Sequence, residues 1–277
     1  YFAPLAAAIF IIIFDIYWLL RISYLSFHQI ASFRQMKKNL KIDWLEKLSK
    51  IEDKDWQKIY HLIILPLAKE GKEVVRPTCQ SLADSDYPKE KMIVVLSVEE
   101  RAGQVGQDLA KEMGKEFGQK FFRFLVTIHP KNLPNEVMGR GSNIAWAIKA
   151  AKGKILERLA IPTEKIIVSL FDIDTRPYPQ YFSCLTFHFL TQNSPQRASY
   201  QPIPVYNNNI WDAPALSRVI ATSGTFWQMM QQERPEQLVA YSAHSTSLKA
   251  LEEVGYPANF VSDDSRIFWK SFLYYGG

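Results

Sequence analysis

Apolar and polar positions divide the chain into three stretches with different periods. From Phe2 to Leu20 almost every position is apolar, and Asp15 is the single charge. At about 1.5 Å rise per residue, a helix of that length nearly spans a hydrocarbon core about 30 Å thick, so residues 1–22 are predicted to cross a membrane. A signal peptide would need a basic start and a small-residue cleavage site after the apolar run, and neither is present. Tyr17 and Trp18 fall where an interfacial aromatic belt would lie. Between residues 24 and 50, Leu25, Ile30, Phe33, Leu40, Trp44, Leu45 and Leu48 recur at three- and four-residue spacings, which predicts helix. Residues 23–58 thus read as an amphipathic or linker region, lying along the membrane surface or packed against the following domain.

Past the charged stretch Glu52 to Lys58 the period changes again. Short apolar runs at His61–Leu65, Met92–Leu96, Phe121–Ile128 and Lys165–Phe171 are bounded by Pro66, Pro88, Pro130 and Pro162. They have strand length and alternate with helix-like stretches at Val74–Ala83, Gln107–Phe117 and Ser142–Ala151. Continuous apolar strands separated by helices predict βαβ units, so residues 59–277 are expected to form an α/β domain with a mainly parallel sheet. In such sheets ligands bind beyond the carboxyl ends of the strands. That rule selects Pro66–Gly71, Ser97–Arg101 and Asp172–Arg176.

Composition narrows the partners. A chain that is 47% hydrophobic and 22% charged is not disordered, and a net charge of +5 without a basic, aromatic stripe does not suggest nucleic acid. Arg21, Arg34, Lys37, Lys38 and Lys41 follow the predicted span and place the domain on the cytoplasmic side. Asp15 reads either as a functional intramembrane carboxylate or, in preference, as the partner of a neighbouring transmembrane helix of the longer protein. Cys79 and Cys184 lack metal-ligand spacing and are expected to be buried free thiols. Because the sequence begins at Tyr1 and ends in Tyr-Tyr-Gly-Gly, it reads as a segment of a longer protein.

Three motifs can carry chemistry. Ser169-Leu170-Phe171-Asp172-Ile173-Asp174 ends an apolar strand in two carboxylates. In extended chain they would share a face at roughly 6.6 Å, close enough for one hard cation such as Mg²⁺ or Mn²⁺. The alternative is a polar strand end that caps the next helix. Gly139-Arg140-Gly141-Ser142-Asn143 puts a cation and backbone N–H groups at a helix start, which suits an anion; Ser142 or Asn143 acting as an ordinary N-cap is the alternative. Val261-Ser262-Asp263-Asp264-Ser265-Arg266 offers either an N-capping pair or a general base. The five histidines have no ligand spacing and read as structural or surface groups, with His244 of interest because it lies shortly upstream of Asp264.

In this order the motifs resemble the family 2 glycosyltransferases, in particular their membrane-bound, processive-synthase-like branch. The resemblance runs from about His61 to the end. Leu62-Ile63-Ile64-Leu65-Pro66 with Lys69-Glu70 looks like the family's opening strand, proline and acidic loop, and Ser81-Leu82 with Asp86-Tyr87-Pro88 like the signature that precedes the second strand. Gly139–Asn143 is similar to a Gly-Lys-x-x-Asn element with Arg in place of Lys. Asp172-Ile173-Asp174 is similar to the Asp-x-Asp metal motif, and Glu253-Val254-Gly255 with Asp263-Asp264 to the acceptor-side element ending in the base. Two departures stand out: the family's carboxylate pair that reads the nucleotide base is missing directly after the second strand, so that either the strand is longer and Glu99 or Glu100 substitutes or base recognition differs, and no Gln-x-x-Arg-Trp element follows Asp264.

The resemblance implies a GT-A-type, Rossmann-like sheet and inverting transfer from a nucleoside-diphosphate sugar to a lipid or glycan acceptor at the membrane. It implies Mg²⁺ or Mn²⁺ on Asp174 and Asp172, and donor contacts from Pro66, Glu70, Glu99, Arg140, Asn143 and Asp172. At the catalytic position it places Asp263-Asp264, with Asp264 as the base. Two other classes stay open from the residues alone. One is nucleotidyl transfer, although Leu65–Gly71 has only one Gly and one Lys where that chemistry wants a glycine-rich basic loop. The other is a non-catalytic membrane protein that binds sugar nucleotides.

Overall fold

The four apolar runs are the centre of a six-stranded mixed sheet in the order β3-β2-β1-β4-β6-β5, seen in a computed structural model of the chain. The structure describes residues 3–52 and 55–276. Tyr1 and Phe2 of the predicted span, Asp53 and Lys54 of the charged stretch, and Gly277 lie outside the described residues.

In chain order the elements begin with α1 (Pro4–Asn39), α2 (Trp44–Ser49), β1 (Tyr60–Leu67) and α3 (Lys72–Ala83). Next come β2 (Met92–Glu99), α4 (Gly103–Phe117), β3 (Arg123–His129) and α5 (Arg140–Ala151), which continues through a π-turn into α6 (Glu157–Leu159). The remainder is β4 (Ile166–Leu170), α7 (Tyr181–Thr191), β5 (Ser199–Tyr200), α8 (Ala215–Gln231), β6 (His244–Ser247), α9 (Leu248–Val254) and α10 (Asp263–Tyr275). The chain divides into two compact units. One comprises residues 1–42 and 203–238, the other 43–202 and 239–277.

In the larger unit, β1 to β4 are parallel, β6 runs antiparallel to β4 and β5 antiparallel to β6, so the expected mainly parallel sheet is present with one reversed strand, β6, near its edge. Successive residues of a strand point to opposite faces, and both faces are covered. Ile63, Leu65, Val94 and Leu96 pack with Val75, Leu82, Met113 and Phe182 on one side. Leu62, Ile64, Val95 and Val168 pack with Ile144, Ala147, Leu251 and Ile267 on the other. This double burial is why the strands read as unbroken apolar runs. The chain proceeds outward from β1 to β3 and then returns to place β4 on the other side of β1. The crevice between the carboxyl ends of β1 and β4 is therefore the switch point where such sheets bind ligands.

Three local expectations are corrected. The helix predicted across residues 24–50 is not one element: α1 runs unbroken through residue 22 to Asn39, and α2 starts separately with Asp43 accepting from the Glu46 amide. Asp172-Ile173-Asp174 is not extended. β4 ends at Leu170 and the Thr175 amide donates to the Asp172 carbonyl at 2.9 Å, closing a turn. Ser142 and Asn143 do not cap α5, which already begins at Arg140.

In the smaller unit, α1 is long and apolar enough to cross a membrane, with a mean hydropathy of 2.2 over its most apolar 18 residues. Its 36 residues extend about 54 Å, well beyond a hydrocarbon core of about 30 Å.

Candidate active site

Arg140 is the residue around which the site is organised. It starts α5, and its guanidinium reaches across the carboxyl end of β4 to two carboxylates. Nε donates to Asp172 Oδ1 at 2.7 Å, and Nη1 donates to Asp263 Oδ2 at the start of α10. Nη2 donates to the carbonyl of Ser242 at 3.0 Å. Burial works against the guanidinium charge, but Tyr256, Asp172 and Asp263 outweigh it and raise its pKa. A planar fork suits this task, because one ammonium group cannot face all these acceptors in fixed directions.

The glycine beside it has a steric reason. A Cβ on Gly141 would lie 2.9 Å from Asp263 Cβ and 3.0 Å from the Pro257 carbonyl oxygen. Glycine lets the first turn of α5 close against the segment that carries Asp263. The anion presented to Arg140 is thus supplied by the chain itself, from two directions.

Ser242 joins the two sides of the site, and sequence reasoning passed over it in favour of His244. Its Oγ donates to Asp172 Oδ2 at 2.5 Å, its amide donates to Asp264 Oδ2 at 2.7 Å, and its carbonyl accepts from Arg140. With φ at 53° it holds a left-handed backbone conformation that a non-glycine residue adopts at a cost of about 1–3 kcal/mol. That conformation aims all three polar groups at the site. No sequence pattern signals it. His244 itself is fully buried in β6, and burial, followed by the charge of Arg140, lowers its pKa to about 4.

The adjacent aspartates play different parts. Asp263 is buried, accepts from Arg140 and the Tyr256 hydroxyl, and has its pKa raised by burial against the opposing effect of Arg140. Asp264 is half-buried, and its two oxygens accept from the backbone amides of Ser242 and Ser265, each at 2.7 Å. Tyr256 is a second residue that sequence reasoning missed.

The remaining predicted positions scatter in a definite way. Pro66 is half-buried inside β1, opposite Ser97. Glu70 lies past β1 with its carboxylate accepting from the Ala68 and Lys69 amides. Asn143 is not presented to a ligand: it is fully buried, accepts from Ser97 Oγ at 2.5 Å and donates to the Ser97 carbonyl at 2.8 Å, tying α5 to β2. Glu99 is the last residue of a β2 that runs longer than its apolar core, and it pairs with Arg101. It lines a cleft of about 490 Å³, open mouth included, with Glu100, Arg101, His129, Lys131 and Glu136. His129 Nε2 lies 2.8 Å from Glu136 Oε2 in that wall.

The chemistry of the turn after β4 suits a hard divalent cation in type. Its groups are carboxylates, and the Asp174 pKa is raised by partial desolvation and then by the charges of Asp172 and Glu70. That concentration of negative charge is what a cation would offset. Yet both Asp172 oxygens already accept from Arg140 and Ser242, and among the described residues no group of three or more His, Cys, Asp or Glu is arranged to hold a metal. A metal here would take few ligands from the chain, Asp174 first among them, and the rest from ligand phosphate oxygens and water.

No family model and no curated protein matches the chain. Among solved structures it is similar to the mannosyltransferase PcManGT from Pyrobaculum calidifontis in complex with GDP-Man and Mn²⁺. The identity is 15% over 88% of this chain and 62% of that one, with a TM-score of 0.47. It is also similar to S. aureus TarS 1–349 in complex with UDP-GlcNAc, at 13% identity over 78% and 54% of the two chains and a TM-score of 0.45. A third neighbour is glucosyl-3-phosphoglycerate synthase from Mycobacterium tuberculosis with UDP, at 16% identity, 78% and 66% coverage and a TM-score of 0.46. The chain spans less than two thirds of the mannosyltransferase and about half of the TarS fragment.

Proposed function

We propose that this chain is the catalytic part of a membrane-anchored, inverting glycosyltransferase. It moves a sugar from a nucleoside diphosphate to a lipid or polysaccharide acceptor at the cytoplasmic membrane face. The observation that carries this reading is the meeting of Asp172 and Asp264 on Ser242. A donor-side carboxylate after β4 and an acceptor-side carboxylate before α10 are held on one residue, at the switch point of a mainly parallel sheet. The order of the sequence motifs supports the same reading.

In this mechanism the donor's diphosphate lies at the turn after β4, and its base lies toward the cleft walled by Glu99. Asp174, with Asp172 beside it, would hold Mg²⁺ or Mn²⁺, which would offset charge on the leaving diphosphate. Arg140 holds Asp172 and Asp263 in place through its hydrogen bonds; its charge is spent within the protein, so its effect on the diphosphate is through Asp172. Asp264, aimed by the Ser242 and Ser265 amides, accepts the proton of the acceptor hydroxyl. The freed oxygen attacks the anomeric carbon as the bond from that carbon to the diphosphate oxygen breaks. Asp263 is the buried anchor, not the base.

Incubating the membrane-reconstituted chain with a panel of nucleoside-diphosphate sugars and Mn²⁺ tests the reading. Release of nucleoside diphosphate from at least one donor is expected. Binding of a donor without any turnover, across lipid and glycan acceptors, would favour a sugar-nucleotide-binding protein instead.

A further inference from the structure

The smaller unit has its polarity inverted. On α8, Thr225, Met229 and Gln231 are buried and Ala221, Thr222 and Gly224 half-buried, and of these all but Met229 are polar or small. Most residues turned outward are apolar: Leu216, Val219 and Ile220 are 72%, 63% and 64% exposed, and Phe226 and Trp227 continue the same face, which Ser223 interrupts. Trp211, just before the helix, is 81% exposed. The facing stripe of α1 follows the same rule. Gln29 donates to Met229 Sδ at 3.1 Å and Ser32 is its buried residue, whereas Phe27, Ile30 and Phe33 face out. Gln29 Oε1 and Gln232 Nε2 are buried without a hydrogen-bond partner.

A helix pair in water buries its apolar faces and exposes its polar ones. Polar and small residues inside with large apolar residues outside is the arrangement expected where the surroundings are hydrocarbon. We propose that the outward face of α8, together with Trp211, lies in the headgroup–acyl boundary of a lipid bilayer, as a second membrane contact beside α1. This rests on the reading of α1 as a membrane span.

Three observations select the bilayer as the occupant. The face is continuous with α1, none of whose residues in its most apolar 18-residue window is buried within the protein. Gln29 meets Met229 and Tyr24 meets Arg234, so α8 runs antiparallel along the part of α1 that follows its most apolar stretch. That is the level at which a 54 Å helix leaves a 30 Å core, by the approximate rise of about 1.5 Å per residue. Finally, α8 has 17 residues, about 25 Å, too short to span but suited to lie in the interface, and Arg34, Lys37, Lys38 and Lys41 on the adjoining chain favour an anionic surface.

The test uses the whole chain in vesicles of phosphatidylcholine and phosphatidylglycerol. Ile220→Cys and, separately, Ile12→Cys carry a nitroxide label, and the parent chain with Cys79 and Cys184 supplies the background. Collisional accessibility to oxygen and to a water-soluble nickel chelate is read at each site. At Ile220 we expect oxygen accessibility to exceed nickel accessibility several-fold, with Ile12 deeper still. High nickel accessibility at Ile220 with Ile12 in lipid overturns this inference alone. High nickel accessibility at both sites overturns the membrane span as well. Low accessibility to both reagents at Ile220 means that a second copy or another protein segment covers the face, and also overturns it.

Discussion

Replacing Arg140 with methionine keeps most of the side chain's length and removes its cation. Asp263 is then left with its side chain 4% exposed and only the Tyr256 hydroxyl as a side-chain partner. Removing one member of a buried ion pair typically costs about 3–5 kcal/mol, because the other charge stays desolvated. The cost depends on pH with a definite sign. Burial already raises the Asp263 pKa and Arg140 opposes that rise, so the substitution moves it further up. A carboxyl whose folded pKa lies above its unfolded value contributes stability at low pH and loses it as pH rises through the folded pKa. The difference between Arg140→Met and the parent should therefore be largest near pH 8 and shrink toward pH 5. Urea unfolding of the detergent-solubilised chain, followed by tryptophan fluorescence at both pH values, measures it. Taking the difference at each pH cancels other titrating groups. Adding Asp263→Asn removes the stranded charge and should restore about 2 kcal/mol or more. A cost below about 1 kcal/mol at pH 8, or no rescue by Asp263→Asn, would refute the role of Arg140 as the compensating charge.

Three further outcomes are expected. Asp264→Asn should lower sugar transfer by about 10²–10⁴-fold while leaving donor affinity nearly unchanged by calorimetry, and near-normal turnover would remove Asp264 from the base position. Asp174→Ala should weaken donor binding in Mn²⁺ and leave little further loss on chelation; equal affinity with and without Mn²⁺ in the parent chain would exclude the metal role. Burial lowers the pKa of His61 to about 3 and of His244 to about 4, against about 6.5 in the unfolded chain. The unfolded state takes up these protons first, so stability should fall as pH drops from about 6.5 to 4, by about 3 kcal/mol for each histidine. His244→Asn should flatten that dependence by its share, read as the urea midpoint at pH 7 and pH 4.

Sequence alone determined the four central strands, the three helices between them and the long apolar α1. The physical reason is local: a strand buried on both faces must be apolar throughout its core, as in Met92–Leu96, and a helix covering it must repeat near 3.6, as in Ser142–Ala151. Sequence also singled out Asp172, Asp263 and Asp264, the first because the end of a parallel strand is where polar residues interrupt an apolar run, and the structure brings all three around Arg140 and Ser242. It did not reveal β6, whose His-Ser-Thr-Ser reads as a loop and becomes strand only by pairing antiparallel with β4. The division of labour within Asp263-Asp264 was also hidden. Only the approach of α5 at Gly141 buries one aspartate on Arg140 and leaves its neighbour on the Ser242 amide. The inward and outward faces of α8 were equally undecided, since an amphipathic pattern does not say which side faces the protein. These features depend on residues far apart in sequence, 22 positions for Ser242 with Asp264, 123 for Arg140 with Asp263 and 200 for Gln29 with Met229, and only the tertiary structure brings such residues within hydrogen-bond distance.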